Sequence, residues 1–205
     1  MNSIQRLADL LAELPGIGPR QSKRIVYVLL SKRREYTNEL SALIASIKDQ
    51  IAECSSCHRF FQKDASGSAV CSICRDISRD VGTLMIVSRD TDLDNMEKTR
   101  SYSGFYFVLG GSVPILEKEP EKAIRERELF EAIEMRSSEG LKEIIFALNA
   151  NPEGENTQEY LEHRLRSLKE KYSLTYSALG RGLSTGSELE YADKNTLQNA
   201  LKNRR

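Results

Sequence analysis

The sequence has no surplus of charge of either sign, no long apolar run and few cysteines. Lysine plus arginine number 30, as do aspartate plus glutamate, so any contact with nucleic acid needs a local basic patch. No stretch is apolar for long enough to cross a bilayer, and no signal-peptide core follows Met1. The cysteines are spaced as for a metal and no secretion signal precedes them, so we expect a cytoplasmic protein.

All four cysteines lie in two C-x-x-C pairs, Cys54 with Cys57 and Cys71 with Cys74. Two such turns facing each other supply a closed tetrahedral site, for which Zn²⁺ is the usual occupant. Four thiolates leave no open position for water or substrate, so we predict one structural zinc ion per chain. Disulfides or free thiols are the alternative. His58 could replace a ligand, although four cysteines suffice.

Apolar residues at helical spacing predict a first helix at about residues 3–14 and a second through residues 25–30. The sequence Pro-Gly-Ile-Gly at residues 15–18 separates them, which is typical of a helix-hairpin-helix. A third helical pattern covers residues 40–51, with Thr37 or Asn38 as its expected cap.

The start of the second helix is a candidate phosphate site. Two glycines let a large group approach the main chain, and the free N–H groups and helix dipole favour an anion. Three basic side chains follow on one helical face, and residues 15–34 contain no acid. We predict sequence-independent, salt-sensitive DNA binding. The alternative is a hairpin with a solvated basic face. The predicted DNA-binding residues are Gly16, Gly18, Arg20, Lys23 and Arg24.

Four buried-strand patterns, at residues 84–87, 105–109, 144–148 and 174–179, alternate with helical stretches at about 91–99, 119–137 and 153–171. This alternation predicts an α/β fold with a mainly parallel sheet flanked by helices. Sites in such sheets form at the carboxyl ends of the strands, which indicates residues 88–90 and 149–155.

The glycine-containing segment at residues 180–187 suggests a phosphate loop. Its spacing does not match G-x-x-x-x-G-K-[ST], and no lysine follows Gly186, so an ordinary loop is favoured. Arg181 could still contact an acidic group or a phosphate.

Several motifs occur together in a diagnostic order. They are Leu14-Pro-Gly-Ile-Gly-Pro19, the two C-x-x-C pairs, Val108-Leu-Gly-Gly111, Pro152-Glu-Gly-Glu155, Arg181-Gly182 and Glu188-Leu-Glu-Tyr-Ala-Asp193. This combination resembles the RecR family of bacterial recombination mediators over essentially the whole chain.

The resemblance implies four domains: a helix-hairpin-helix domain at 1–53, a Cys₄ zinc finger at 54–78, a Toprim domain at 79–178 and a C-terminal extension at 179–205. It implies a ring-like tetramer that clamps DNA, and it implies RecO and RecF as partners in loading the RecA recombinase on gapped DNA. The family's DNA-contacting residues correspond to Arg20 and Arg24, and its zinc ligands to the four cysteines. A Walker B-like, subunit-associating segment corresponds to residues 188–193.

Catalytic Toprim enzymes bind Mg²⁺ through a glutamate after the first strand and an Asp-x-Asp after a later one. Here these positions are Ser88, where the family usually keeps an acid, and Asn149-Ala150-Asn151. We therefore predict a protein that is not an enzyme. A metal-dependent nuclease or primase-like enzyme is the alternative function. The remaining acids, Asp90, Glu153 and Glu155, could form a partner contact or a weak cation site.

Overall fold

The computed structural model describes residues 2–180, together with residues 190 and 197. Most of the expected C-terminal extension, including Arg181, the glycine-containing segment from residue 181 to 187 and most of the segment 188–193, lies outside the described residues. The chain divides into two compact units, of which one ends at Ile51 and the other begins at Ala52. The predicted domain boundaries stay predictions. Among the described residues, the structure has no helix with the length and apolar character needed to span a membrane.

The first unit consists of helices α1 (Ser3–Ala12), α2 (Pro19–Ser31) and α3 (Arg34–Gln50). The Asn2 side chain caps α1 by accepting a hydrogen bond from the backbone N–H of Ile4 at 2.8 Å. Helices α1 and α2 pack together and bury Ala8 and Val26.

The expected cap of α3 at Thr37 or Asn38 was wrong, because the helix begins a turn earlier, at Arg34. Arg33 is extended, and its carbonyl accepts the backbone N–H groups of Tyr36 and Thr37. The Thr37 hydroxyl instead donates to the Arg34 carbonyl within the helix, at 2.9 Å.

The second unit contains a two-stranded ribbon, a short helix and a four-stranded sheet. The ribbon pairs β1 (Ile51–Glu53) with β2 (Phe60–Gln62), and α4 (Ser72–Arg75) follows. The sheet contains β3 (Asp80–Val87), β4 (Gly104–Val108), β5 (Glu143–Ala147) and β6 (Thr175–Ala178). Its order is β4-β3-β5-β6 and its pairs are all parallel, which confirms the predicted fold class.

The helices between the strands are α5 (Asp90–Thr99), α6 (Pro120–Ala123), α7 (Glu126–Glu139), α8 (Pro152–Arg164) and α9 (Arg166–Tyr172). Two stretches that the sequence predicts as continuous helices are therefore divided. Between α6 and α7, Ile124 is extended and buried, and the N–H of Arg125 donates to the Leu109 carbonyl beyond β4. Between α8 and α9, the fully buried Leu165 interrupts the helix. These helices end where tertiary contacts hold Arg125 and Leu165, and helical periodicity alone does not predict the positions of the breaks.

Side chains alternate between the two faces of the sheet and enter two apolar clusters. One face contributes Ile86, Phe107 and Phe146 to a cluster with side chains from α7, α8 and α9. The other face contributes Met85 and Tyr106 to a cluster that also contains three of the four cysteines. The segment that carries the four cysteines, residues 54–74, is called the cysteine hairpin below. It thus shares its apolar core with the sheet.

The cysteine hairpin also covers the edge strand β4. The backbone N–H of Val108 donates to the Cys57 carbonyl at 2.9 Å, and the His58 ring lies 5.3 Å from that of Phe107. An edge strand with unpaired backbone groups can pair with another chain. The contact between Val108 and Cys57 occupies part of this edge and also holds the cysteine hairpin against the sheet.

Candidate nucleic-acid and metal sites

The hairpin between α1 and α2 exposes the amino end of α2. Gly18 is the N-cap and has no side chain to accept a hydrogen bond, and Pro19 has no N–H. The first backbone N–H of α2 that has an acceptor is that of Ser22, which donates to the Gly18 carbonyl at 2.9 Å. The N–H groups of Arg20 and Gln21 are therefore available to an outside acceptor such as a phosphate oxygen.

The two hairpin glycines differ in what they contribute. Gly16 has φ +82°, a left-handed conformation that favours glycine, whereas Gly18 has φ −80° and is conformationally ordinary. A Cβ on Gly18 would meet no atom within 4 Å. Gly18 thus keeps the approach to the helix start open, although its own backbone angles do not require glycine.

Three cations adjoin this helix start: Arg20, Lys23 and Arg24. All are exposed, and none of them forms an ion pair with any residue that the structure describes. A cation without a protein anion can bind a phosphate without first losing a salt bridge. The structure thus brings the predicted DNA-binding residues together on one surface.

The four cysteine sulfurs converge on one point. All lie within 4.8 Å of one another, with Cys54, Cys57 and Cys71 buried and Cys74 partly buried. The Cys57 and Cys71 sulfurs are 3.7 Å apart, and none of the four cysteines is in a disulfide. Zn–S bonds of about 2.3 Å place tetrahedral sulfurs about 3.8 Å apart, so the geometry fits zinc.

The pKa shifts of the clustered thiols are also consistent with a site for a cation. Hydrogen bonds from neighbouring thiols lower the pKa of Cys54, whereas the bond to Cys54, together with burial, raises the pKa of Cys57. The backbone N–H of Cys71 donates to the Cys54 sulfur at 3.3 Å. Groups this close cannot all ionise by themselves, and a metal ion would let all four serve as thiolates.

His58 is not part of this cluster. Its backbone is left-handed, with φ +61°, as the turn after Cys57 requires. Its Nδ1 lies 2.7 Å from a Glu53 oxygen, which is also 3.3 Å from Nε of Arg125. The histidine therefore holds the hairpin to the rest of the unit and leaves the ligand positions to the cysteines.

Arg136 on α7 reaches the cysteine cluster from a distant part of the chain. Its Nη2 donates to the Ser56 hydroxyl at 3.0 Å and lies 3.9 Å from the Cys74 sulfur. Sequence reasoning missed this residue. It lies 62 positions from Cys74, within an ordinary helical pattern, and no local motif marks it.

The predicted acidic residues at the carboxyl edge of the sheet have different surroundings. Asp90, at the start of α5, accepts the backbone N–H of Phe60 at 2.7 Å and so ties α5 to β2. Glu153 and Glu155, in the first turn of α8, are exposed. Within the part of the chain that the structure describes, the cysteines form the cluster that could hold a metal, and these acids form no second one.

The Toprim-type positions without acids have structural partners. Ser88 is fully buried, and its hydroxyl accepts a hydrogen bond from Ser112 at 3.5 Å. The Asn151 side chain caps α8 by accepting the N–H of Gly154 at 2.8 Å. A Cβ on Gly154 would lie 1.9 Å from the Asn149 carbonyl oxygen, so this turn requires glycine. These contacts build the edge of the sheet without supplying carboxylates.

Comparison with known proteins places three regions of the chain in families. Family models match residues 4–48 (RecR, helix-hairpin-helix), 82–176 (Toprim domain) and 182–205 (RecR, C-terminal). Recombination protein RecR of Mycobacterium leprae (strain TN) is 36% identical over 203 residues, covering 98% of this chain and 96% of that protein. The chain belongs to the RecR family.

Two further relatives bear the name recombination protein RecR. That of Paenarthrobacter aurescens (strain TC1) is 36% identical over 99% of this chain and 96% of its own length. That of Cutibacterium acnes (strain DSM 16379 / KPA171202) is 35% identical over 98% of this chain and 94% of its own. Because RecR relatives match nearly end to end, the helical hairpin, cysteine cluster and sheet belong to one RecR architecture.

Proposed function

We propose that this chain is a non-enzymatic, DNA-binding clamp and adaptor in recombinational DNA repair. The observation that carries the proposal is the hairpin surface, where the N–H groups of Arg20 and Gln21 adjoin Arg20, Lys23 and Arg24, side chains that pair with no acid among the described residues. These groups suit phosphates, and contacts to phosphates carry no sequence information, so we expect binding that is independent of sequence. Family membership supports the repair context, because the relatives are named recombination protein RecR.

The test is a salt titration of DNA binding by fluorescence anisotropy. Replacing Arg20 and Arg24 with alanine should weaken binding and lower the slope of log affinity against log salt by about 0.7–0.9 for each lost phosphate contact. A matched control removes two exposed cations elsewhere, Lys48 and Lys98. Unchanged affinity in the Arg20/Arg24 variant, or equal losses in the control, would refute the assignment.

We further propose that the chain assembles with copies of itself, as a tetramer or a dimer of dimers. Support comes from α3, which buries none of its side chains. Leu43, Ile44 and Ile47 are 57%, 65% and 56% exposed and lie on one helical face. A contiguous apolar face of this kind is typical of an interface, and a second copy presents the same face.

Native mass spectrometry tests this assembly and counts bound zinc in the same spectrum. Placing aspartate at Ile44 and Ile47 should reduce the subunit number, because the charges would be buried in the interface. Aspartate at Ala42, which lies on the opposite side of α3, is the control. A wild-type monomer, or an unchanged oligomer in the double variant, would contradict the proposal.

We infer that the cysteines bind one structural zinc ion per chain. We also infer that the protein acts in the cytoplasm with RecO and RecF to load RecA on gapped DNA. The sulfur geometry supports the zinc, and RecR family membership supports the partners. Glu153 and Glu155, which are exposed in the first turn of α8, are the proposed contact for a basic partner. Glu153→Lys should weaken RecO or RecF binding and leave DNA binding intact.

The chain is proposed to act without catalysis, since Ser88 and Asn151 occupy acidic Toprim positions and have structural partners. Incubating the protein with Mg²⁺ and DNA tests this. Strong cleavage or oligonucleotide synthesis that is lost in Glu153→Gln would favour the nuclease or primase-like alternative.

A further inference from the structure

Arg136 is a buried cation that lies beside the cysteine cluster. The residue is 5% exposed, and its guanidinium lies 4.1 Å from the centre of the Phe105 ring. Its Nη2 contacts the Ser56 hydroxyl and the Cys74 sulfur, as described above. Its Nε is buried and has no hydrogen-bond partner. The guanidinium is therefore desolvated on nearly all sides.

No carboxylate in the described part of the chain lies within 4.0 Å of Arg136. Arg79, another largely buried arginine of this unit, pairs with Glu97 at 2.5 Å. Burying a charge without a partner is costly, so buried cations are normally paired with an anion. The acceptors present at Arg136 are a neutral hydroxyl and a cysteine sulfur.

Four thiolates around one Zn²⁺ carry a net charge of −2, which is the anion that Arg136 otherwise lacks. We propose that Arg136 is the charge-compensating residue of the metal site, and that it increases zinc affinity by holding a buried positive charge against the thiolates. The proposal rests on the zinc site proposed above. Arg136 acts through the ligands, as a positioning residue, and does not bind the metal.

The same contact links metal binding to the sheet. Arg136 comes from α7 and meets Ser56, 80 positions earlier, within the first C-x-x-C turn. Its ring contact, Phe105, lies on the edge strand β4 that the hairpin covers. Loss of the metal leaves a buried cation without an anion, which destabilises the packing between α7 and the hairpin.

The experiment measures zinc affinity by competition with a chromophoric chelator, using the full-length protein. Arg136→Met should weaken affinity about tenfold to hundredfold, the usual effect of removing a group that supports metal ligands. Arg136→Lys keeps the charge and should recover most of that affinity. Cobalt substitution gives a second readout, because the sulfur-to-cobalt absorption should shift in Arg136→Met.

Two serines in the same turn provide a matched control. Ser56→Ala removes the hydroxyl that holds the guanidinium and should weaken zinc binding by a few-fold, whereas the exposed Ser55→Ala should not change it. This pair decides the question if Arg136→Met does not fold. Equal zinc affinities in the two serine variants would then overturn the proposal.

Unfolding with and without zinc separates charge compensation from simple packing. Arg136→Met should cost less stability in the metal-free protein, since the wild-type cation then has no anion. Equal losses in both forms, an unchanged zinc affinity, or a lysine variant as weak as the methionine variant would overturn the role of Arg136. A wild-type protein that binds no zinc would instead overturn the metal site.

Discussion

In the helical unit, the fully buried side chains of the described residues are those of Ala8, Ser22 and Val26. The sheet unit buries two apolar clusters, pairs the buried Glu126 with Arg164 and covers one of its edge strands. The helical unit instead leaves apolar and basic side chains at its surface. A unit that buries so few side chains gains stability when another molecule covers its exposed apolar surface. The sheet unit instead has an apolar core of its own.

Removing the metal should produce the largest change, and it should fall on the sheet unit. The cysteines share a core with β3 and β4, so chelation or Cys57→Ser should cost more than about 4 kcal/mol of stability. Hydrogen exchange should show lost protection first in the hairpin and in β4, and subunit assembly or DNA binding should weaken afterwards. Added zinc should restore the chelated protein. An unchanged fold, oligomer and DNA affinity after chelation would show that the metal has no such role.

A pair of apolar truncations tests the contrast directly. Phe146 is 2% exposed and lies edge-on to Tyr176, with ring centres 5.5 Å apart, so Phe146→Ala should cost about 3–5 kcal/mol. Ile44 is 65% exposed, and Ile44→Ala should change the unfolding of the sheet unit by less than about 0.5 kcal/mol. Denaturant unfolding, followed together with subunit number, measures both. Similar losses of stability would contradict the comparison.

Alkaline pH should also weaken the sheet unit. Burial raises the pKa of Tyr102 and of Tyr176 to about 12, from an ordinary value of 10.0. The folded state favours the neutral phenol, so this contribution is fully present below pH 10 and is lost as the pH rises towards 12. Absorbance titration of the tyrosines, with Tyr176→Phe as the comparison, should show late ionisation. Ionisation of these tyrosines near pH 10 in the folded protein would contradict the raised pKa values.

Local patterns were sufficient to predict the helical hairpin, the cysteine site and the alternating strands. Pro-Gly-Ile-Gly, two C-x-x-C pairs and continuous apolar runs each depend on residues close together in the chain. The start of α3 and the breaks at Arg125 and Leu165 were missed. These depend on which backbone groups find partners in the folded unit, and helical periodicity does not encode that.

The sequence by itself determined that four cysteines can form one site and that the helical hairpin carries basic residues. It also determined that acids are lacking at Ser88 and at Asn149–Asn151. All of these are properties of residue type and spacing. The tertiary structure alone decided that the cysteine hairpin covers an edge strand, that Asp90 ties α5 to β2, and that Arg136 meets the first C-x-x-C turn from 80 positions away. Each of these contacts joins residues that are distant in the chain, and only the packing of the sheet brings them together.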